Sequence, residues 1–366
     1  MKITSEQELA DLVAAARGPV AVQGGGTRGV GMTGQVADLS GLSGVTLYEP
    51  GALTLVVRAG TALAEVEALL AREGQRLAFE PADWRGLLGT GGEPTIGGVV
   101  AANIAGPRRV QAGAARDALL GVRFVDGTGA VIRNGGRVMK NVTGYDLVKL
   151  MAGSWGTLGI LTEVALKVLP IPEAEATLTL AGLDRGRAVA AMAAALGSPF
   201  ELSGAARLPS GAVVLRLEGF VGSVAYRCGR LTELLCPYGA AEVCEAAASA
   251  ALWRDVRDVA PFHGQAGDVW RFSTVPSEAP ELAVRLGGQV MMDWGGGLVW
   301  ALLPEGTDAR ALAAPYRGHA TLIRAGAESR ARLPRFEPEP PALAALQASL
   351  RARFDPRHIL NPGLMG

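Results

Sequence analysis

The chain has 366 residues, with 35 basic and 35 acidic side chains, so it carries no overall field to gather nucleic acid or an anionic membrane. Its 50 glycines follow no G-X-Y period, which excludes collagen, and a hydrophobic content of 49% excludes a flexible linker or a disordered tail. Length predicts two or three domains, each able to bury a core.

In chain order, Ser5 to Arg17 reads as a helix, with Ser5 and Glu8 spaced as a capping box and Gly18 placed to end it. A short strand, Pro19 to Gln23, runs into Gly24-Gly25-Gly26-Thr27-Arg28-Gly29. Val45 to Tyr48 and Thr54 to Arg58 form a hairpin around Pro50-Gly51, followed by a helix from Ala62 to Arg72. Residues 80–115 show little periodicity and read as a long glycine-rich loop, whose apolar content argues for function and against disorder. Val122 to Val125 and Val131 to Arg133 form a second hairpin, and Leu161 to Leu169 is the last strand before Pro170 and Pro172, where a first domain, 1–171, ends.

Beyond it the order β-α-β-β-α-β occurs twice. The first set is Ala176 to Leu180, helix Arg185 to Leu196, Glu201 to Arg207, Ala212 to Leu217, helix Ser223 to Leu235 and Ala241 to Glu245. A helix near Ala251 to Val259 leads to Val269 to Ser273, helix Glu278 to Leu286, Gln289 to Asp293, Leu298 to Leu302, helix Asp308 to Tyr316 and Thr321 to Arg324. The repeat predicts an α+β second domain, 172–330, of two ferredoxin-like halves in one antiparallel sheet. Residues 331–366 form a proline-rich linker, a helix from Ala342 to Arg353 and a tail.

The longest apolar run, Ala188 to Leu196, is nine residues, against the ~18 that span a bilayer. Met1 to Asp11 lacks the basic and apolar regions of a secretory signal, so the expectation is a cytoplasmic chain, with peripheral membrane association through partners as the variant. Cys228, Cys236 and Cys244 are an odd number without CxxC spacing, which argues against a disulfide framework or a zinc ribbon.

Gly24-x-Gly26-x-x-Gly29 follows a strand, as a dinucleotide fingerprint does. No helix opens at its last glycine and Asp38 comes too early for the ribose acid, so a nicotinamide Rossmann site is not expected. What remains is a run of unobstructed backbone N–H groups, able to cradle a pyrophosphate as an anion nest or to serve as a plain turn. Glu93-Pro94-Thr95-Ile96-Gly97-Gly98, Gly106-Pro107-Arg108-Arg109 and Gly153-Ser154-Trp155-Gly156-Thr157-Leu158-Gly159-Ile160 add further close-approach segments. Together they suit a large cofactor better than separate turns.

These segments, with Val138-Met139-Lys140-Asn141-Val142-Thr143-Gly144-Tyr145-Asp146-Leu147, Trp270-Arg271-Phe272-Ser273, Asp293-Trp294-Gly295-Gly296, Gly318-His319-Ala320-Thr321 and Asn361-Pro362-Gly363, resemble the PCMH-type FAD-binding proteins of the vanillyl-alcohol oxidase family and, within it, the FAD-binding E subunits of bacterial glycolate oxidases. The resemblance covers the whole chain. It implies FAD, with Gly24, Gly25, Gly26, Thr27, Arg28 and Gly29 around the pyrophosphate. Pro81, Thr95, Ile96, Gly97, Gly98, Gly106 and Arg108 would line the other side, Ile160 would meet the adenine end, and Asn361 would return to the flavin domain. Lys140 would neutralise a flavin or phosphate charge, or lie on the surface. Histidyl-linked relatives carry His where this chain has Gly26, and no Cys precedes Cys228, so the FAD is expected to be non-covalent. His263, His319 and His358 are too far apart in sequence for the paired-His metal motif of catalytic relatives, and no metal site is expected.

Oxidation of a 2-hydroxy acid to the 2-oxo acid needs a cation for the carboxylate, a base for the hydroxyl proton and the flavin as electron acceptor. Arg271 and Arg324 are the candidate cations and His319 the candidate base, although a strand-borne Arg is more often part of a solvated face or an ion pair and a lone His more often bonds locally. Three readings stay open. One is an FAD subunit of a glycolate oxidase complex, beside a catalytic FAD subunit and an iron–sulfur subunit that the resemblance implies. The others are a stand-alone FAD-dependent 2-hydroxy-acid or alcohol dehydrogenase and a non-catalytic FAD-containing scaffold.

Overall fold

The computed structural model describes residues 1–31, 33–137 and 144–365. Val138 to Thr143, the heart of the longest resembling motif and the site of Lys140, lie outside the described residues.

Helix α1 (Glu6–Ala15) opens the chain. The Ser5 hydroxyl accepts from Glu8 N–H as predicted, but the Glu8 carboxylate takes the N–H of Thr4, and the helix ends at Ala16 ahead of Gly18. Strand β1 (Val20–Gln23) pairs in parallel with β2 (Gln35–Asp38), a strand too short to show a pattern of its own. Next come the predicted hairpin β3 (Val45–Glu49) and β4 (Thr54–Arg58), then α2 (Leu63–Arg72) and the unpredicted β5 (Gln75–Leu77).

The stretch expected to be loop holds α3 (Arg85–Leu88), α4 (Ile96–Ala102) and α5 (Arg109–Ala112) and runs into α6 (Ala115–Ala118). Gly and Ala fill most of α4, which hid its period. It forms because the Thr95 hydroxyl caps Gly98 N–H and because Ile96, Val99 and Val100 are buried. With β6 (Leu119–Val125), β7 (Val131–Gly135), α7 (Leu147–Met151) and β8 (Ile160–Pro170), the first antiparallel sheet runs β3-β4-β8-β6-β7, and β5 adds to the end of β8.

The second sheet is built from β9 (Ala174–Leu180), α8 (Arg185–Leu196), β10 (Gly204–Arg207), β11 (Val213–Gly219), α9 (Val221–Leu235) and β12 (Ala241–Glu245). Helix α10 (Ala246–Asp258) begins earlier than predicted, in an alanine run, and leads to β13 (Asp268–Thr274), α11 (Ala279–Leu286), β14 (Gln289–Asp293), β15 (Leu298–Leu303), α12 (Ala309–Ala313) and β16 (Gly318–Arg324). The predicted helix to Tyr316 stops at Ala313 because Pro315 cannot continue it. Strand order is β12-β9-β11-β10-β14-β15-β13-β16, each neighbour antiparallel. Each half therefore reads fourth, first, third, second in its own chain order, and the two expected ferredoxin-like halves join at β10 and β14, with Arg207 opposite Met292. Helices α13 (Ala327–Arg332) and α14 (Pro341–Phe354) follow.

Two features fix the sheets against each other. One is an apolar cluster in which Trp84 meets Trp300 edge to face at 5.7 Å, with Leu87, Phe262 and Met291 around them, a geometry that adds about 0.5–1.5 kcal/mol beyond area burial. The other is a buried charge network. Arg216 on β11 donates to both Glu80 oxygens at 2.8 and 3.0 Å, and Arg108 donates to both oxygens of Glu218, also on β11, at 3.1 and 3.0 Å. Arg76 completes it at Glu218. Burial alone would raise the Glu218 carboxyl, but Arg108, Arg216 and Arg76 hold it well below the usual carboxylate range.

Candidate functional site

A cleft opens between β1, the start of α4 and the turn into β8. One wall is Gly24 to Arg28, the opposite wall is Thr95, Gly97 and Gly98, and Trp155, Gly156, Ile160 and Asn361 close the far end. The walls touch. A Cβ on Gly25 would stand 1.6 Å from the carbonyl oxygen of Glu93, and one on Gly24 would stand 2.3 Å from the Thr95 hydroxyl. Gly26 sits at φ +70°, where a side chain is strained.

That close approach has an electrostatic result. The backbone N–H groups of Gly24, Gly25, Gly26, Thr27 and Arg28 donate to no described residue and are free to meet a ligand. Unpaired N–H groups in succession at a concave wall are an anion nest. Arg28 brings a cation beside them. Its guanidinium donates to Ala82 O and lies 5.3 Å above the Trp84 ring, and burial brings its pKa down to about 10, so it stays charged at neutral pH. Nest, cation and apolar floor fit a dinucleotide-like cofactor with a pyrophosphate.

Asn361 ties the C-terminal tail to this wall. Its side-chain oxygen accepts from Val22 N–H at 2.8 Å and its amide donates to Trp155 O at 2.8 Å. Arg335, from the proline-rich linker, was not foreseen. It donates to the carbonyls of Arg28 and Gly29 and stacks over Trp155 at 5.1 Å, holding the nest from behind. A proline-rich context gives no sequence signal for such a role.

Five expected cofactor positions lie off the cleft. Gly29 lines the neighbouring cleft, and Pro81 and Ile96 are buried in packing. The smallness of Gly106 accommodates Arg257 and Glu80, and its carbonyl accepts the Trp294 indole N–H at 3.1 Å. Arg108, expected at a phosphate, is committed to Glu218 and Glu80 because the buried carboxylates demand a partner.

The neighbouring cleft is bounded by β16, the linker and α14, and shares Val30, Asn361 and Leu364 with the first. His319 lines it, and its imidazole is held below the usual histidine value by burial, Arg271 and Arg109. Arg271 lies on β13, whose Ser273 is opposite His319. Its guanidinium stacks on Trp294 at 5.2 Å, and burial brings it down to about 10. Arg324 is turned elsewhere. It donates to the carbonyls of Leu87, Phe262, Gln265 and Gly267, which makes it a structural staple in place of the expected substrate cation. No group of three or more His, Cys, Asp or Glu among the described residues is arranged to hold a metal, and no described helix is long and apolar enough to cross a membrane.

Residues 1–135 match the family described as FAD binding domain, and Gly24 to Arg28, Thr95, Gly97 and Gly98 lie within that match. The chain is thus an FAD-binding protein of the PCMH-type oxidoreductase class. Over 95% of its length it is 37% identical to the glycolate oxidase subunit GlcE of Escherichia coli, covering 92% of that protein, and it belongs to that family. A shorter match, 46% identity over 23% of the chain and 18% of the relative, is to the glycolate oxidase subunit GlcD of Bacillus subtilis. In fold it is similar to alkyldihydroxyacetonephosphate synthase, with a TM-score of 0.71 at 18% identity over 99% of this chain and 75% of that one.

Proposed function

We propose that the chain is the FAD-binding subunit of a glycolate-oxidising complex, acting on glycolate or a related 2-hydroxy acid beside a catalytic FAD subunit and an iron–sulfur subunit in the cytoplasm. The observation that carries the FAD assignment is the row of unpaired N–H groups from Gly24 to Arg28. In this reading residues 1–171 hold FAD without a covalent bond, with its pyrophosphate on the nest and Thr95, Gly97, Gly98, Ile160 and Asn361 around it. Residues 172–330 cap the site, and residues 331–366 return to brace it through Arg335. FAD, when bound, supplies the two-electron acceptor.

Arg271 holds the substrate carboxylate, and His319 accepts the hydroxyl proton. Partial desolvation, Arg271 and Arg109 lower the imidazole pKa, which favours the neutral form that a base requires. A buried Arg271 Nε without a partner among the described residues disfavours the scaffold reading. The test is Arg271→Met in the purified complex. KM for glycolate is expected to rise about 100-fold with FAD content unchanged, and an unaltered KM would remove Arg271 from the site. His319→Gln should lower kcat and abolish an acidic limb lying below the ordinary histidine pKa of about 6.5; a limb that persists assigns the base elsewhere.

A further inference from the structure

Arginine charge inside this protein is generally answered. Arg108 and Arg216 face Glu80 and Glu218, and Arg324 faces four carbonyls. All six tryptophans carry an arginine, so stacking by itself is ordinary here. The exception is Trp294, which carries two. Arg109 from α5 lies 4.8 Å from its centroid and Arg271 from β13 lies 5.2 Å away. Neither guanidinium has an ion pair or a hydrogen bond among the described residues, and the Arg271 Nε is buried without a partner. An indole face returns about 0.5–2 kcal/mol to a cation, which falls short of the several kcal/mol that desolvating a guanidinium costs. A second cation on the same ring worsens the balance.

Asp293, next to Trp294, does not close the gap. It accepts from Trp294 N–H, forms no ion pair with either arginine among the described residues, and is pushed up to about 7 by burial. The site is held in place from both sheets, because the Trp294 indole N–H donates to Gly106 O on the loop that leads to Arg109. Half-buried Arg271 is left without a counter-charge, and exposed Arg109 stands beside it on the same ring.

We propose that Arg109 and Arg271 form a two-cation clamp on Trp294, with Arg109 the specificity-determining residue that admits 2-hydroxy acids bearing a second carboxylate. This rests on the assignment of Arg271 to the substrate carboxylate. Arg271, half-buried, takes the carboxylate beside the reacting carbon, and Arg109, exposed at the rim, takes the distal one. A compact monocarboxylate leaves Arg109 in water, so its affinity depends mainly on Arg271.

The test is calorimetric titration of the FAD-loaded full chain with malonate, a non-oxidisable dianion, and with glycolate. In Arg109→Ala the malonate-to-glycolate affinity ratio is expected to fall about tenfold, with Arg109→Lys restoring most of it, and raised salt should weaken malonate more steeply than glycolate. Arg271→Lys, chosen to keep the buried position filled, should weaken both ligands. A wild-type ratio in Arg109→Ala overturns the clamp while leaving the Arg271 assignment standing. Failure of the wild-type chain to bind either acid, with FAD retained, overturns both.

Discussion

A Gly25→Ala chain is expected to fold with both cores intact and to purify without FAD. The new methyl group would stand 1.6 Å from the Glu93 carbonyl oxygen and 2.5 Å from its carbon, and both are backbone atoms that cannot rotate aside. The two loops must separate, and the separation falls on the N–H groups that meet the pyrophosphate. A displacement of about 1 Å in a preorganised site costs on the order of 100-fold, so FAD affinity should fall at least that far, measured by fluorescence titration of the apo chain. Gly91→Ala is the matched control: it lies on the same facing loop, has ordinary φ and has nothing within 4 Å of the added Cβ. Equal FAD affinity in the two variants would separate the nest from cofactor binding.

The second large effect is on stability. Glu218→Ala leaves Arg76 and Arg108 facing each other without their shared carboxylate, beside Arg216. Removing one member of a buried ion network costs about 3–5 kcal/mol, to be read from the denaturant midpoint. The pH dependence has a definite sign. Because the folded-state carboxyl is held below its unfolded value, its stabilisation is fully present above the ordinary glutamate pKa of about 4.3 and is lost as pH falls through the carboxylate range. The variant should therefore differ most from wild type above pH 5 and converge toward it in acid. A difference that grew in acid would mean the network had been misread. Since Glu218 is on the second sheet and Arg76 and Arg108 are on the first unit, the same variant should loosen the sheets against each other.

Where the sequence carried a repeating signal, the architecture was legible. The doubled β-α-β-β-α-β order predicted both ferredoxin-like halves and their shared sheet, because most of its strands and helices are long enough to show a period and the repeat itself places the short ones. Short elements escaped. Strands β2 and β5 have too few residues, and α4 is mostly Gly and Ala, held by a Thr95 cap and by burial that only the folded chain supplies.

The glycine clusters pointed to the cleft for a physical reason that local sequence does contain: backbones that nearly touch exclude a Cβ. Charge partners were not legible in the same way. Arg108, Arg324 and Arg335 are alike in sequence, yet one answers buried carboxylates, one caps carbonyls and one braces the nest, since their partners are 28 and 110, 57 to 237 and 306 to 307 residues away. Arg109 was likewise unmarked beside Arg108, and only Trp294, brought in from the second sheet, distinguishes them.

FAD held in the first cleft by hydrogen bonds and charge alone would leave the chain on denaturation. The most direct measurement is acid precipitation of the purified chain, followed by quantitation of flavin in the two fractions. One FAD per chain in the supernatant is the predicted result. Flavin that stays with the pellet, or a chain that is colourless and takes up no added FAD, would contradict it.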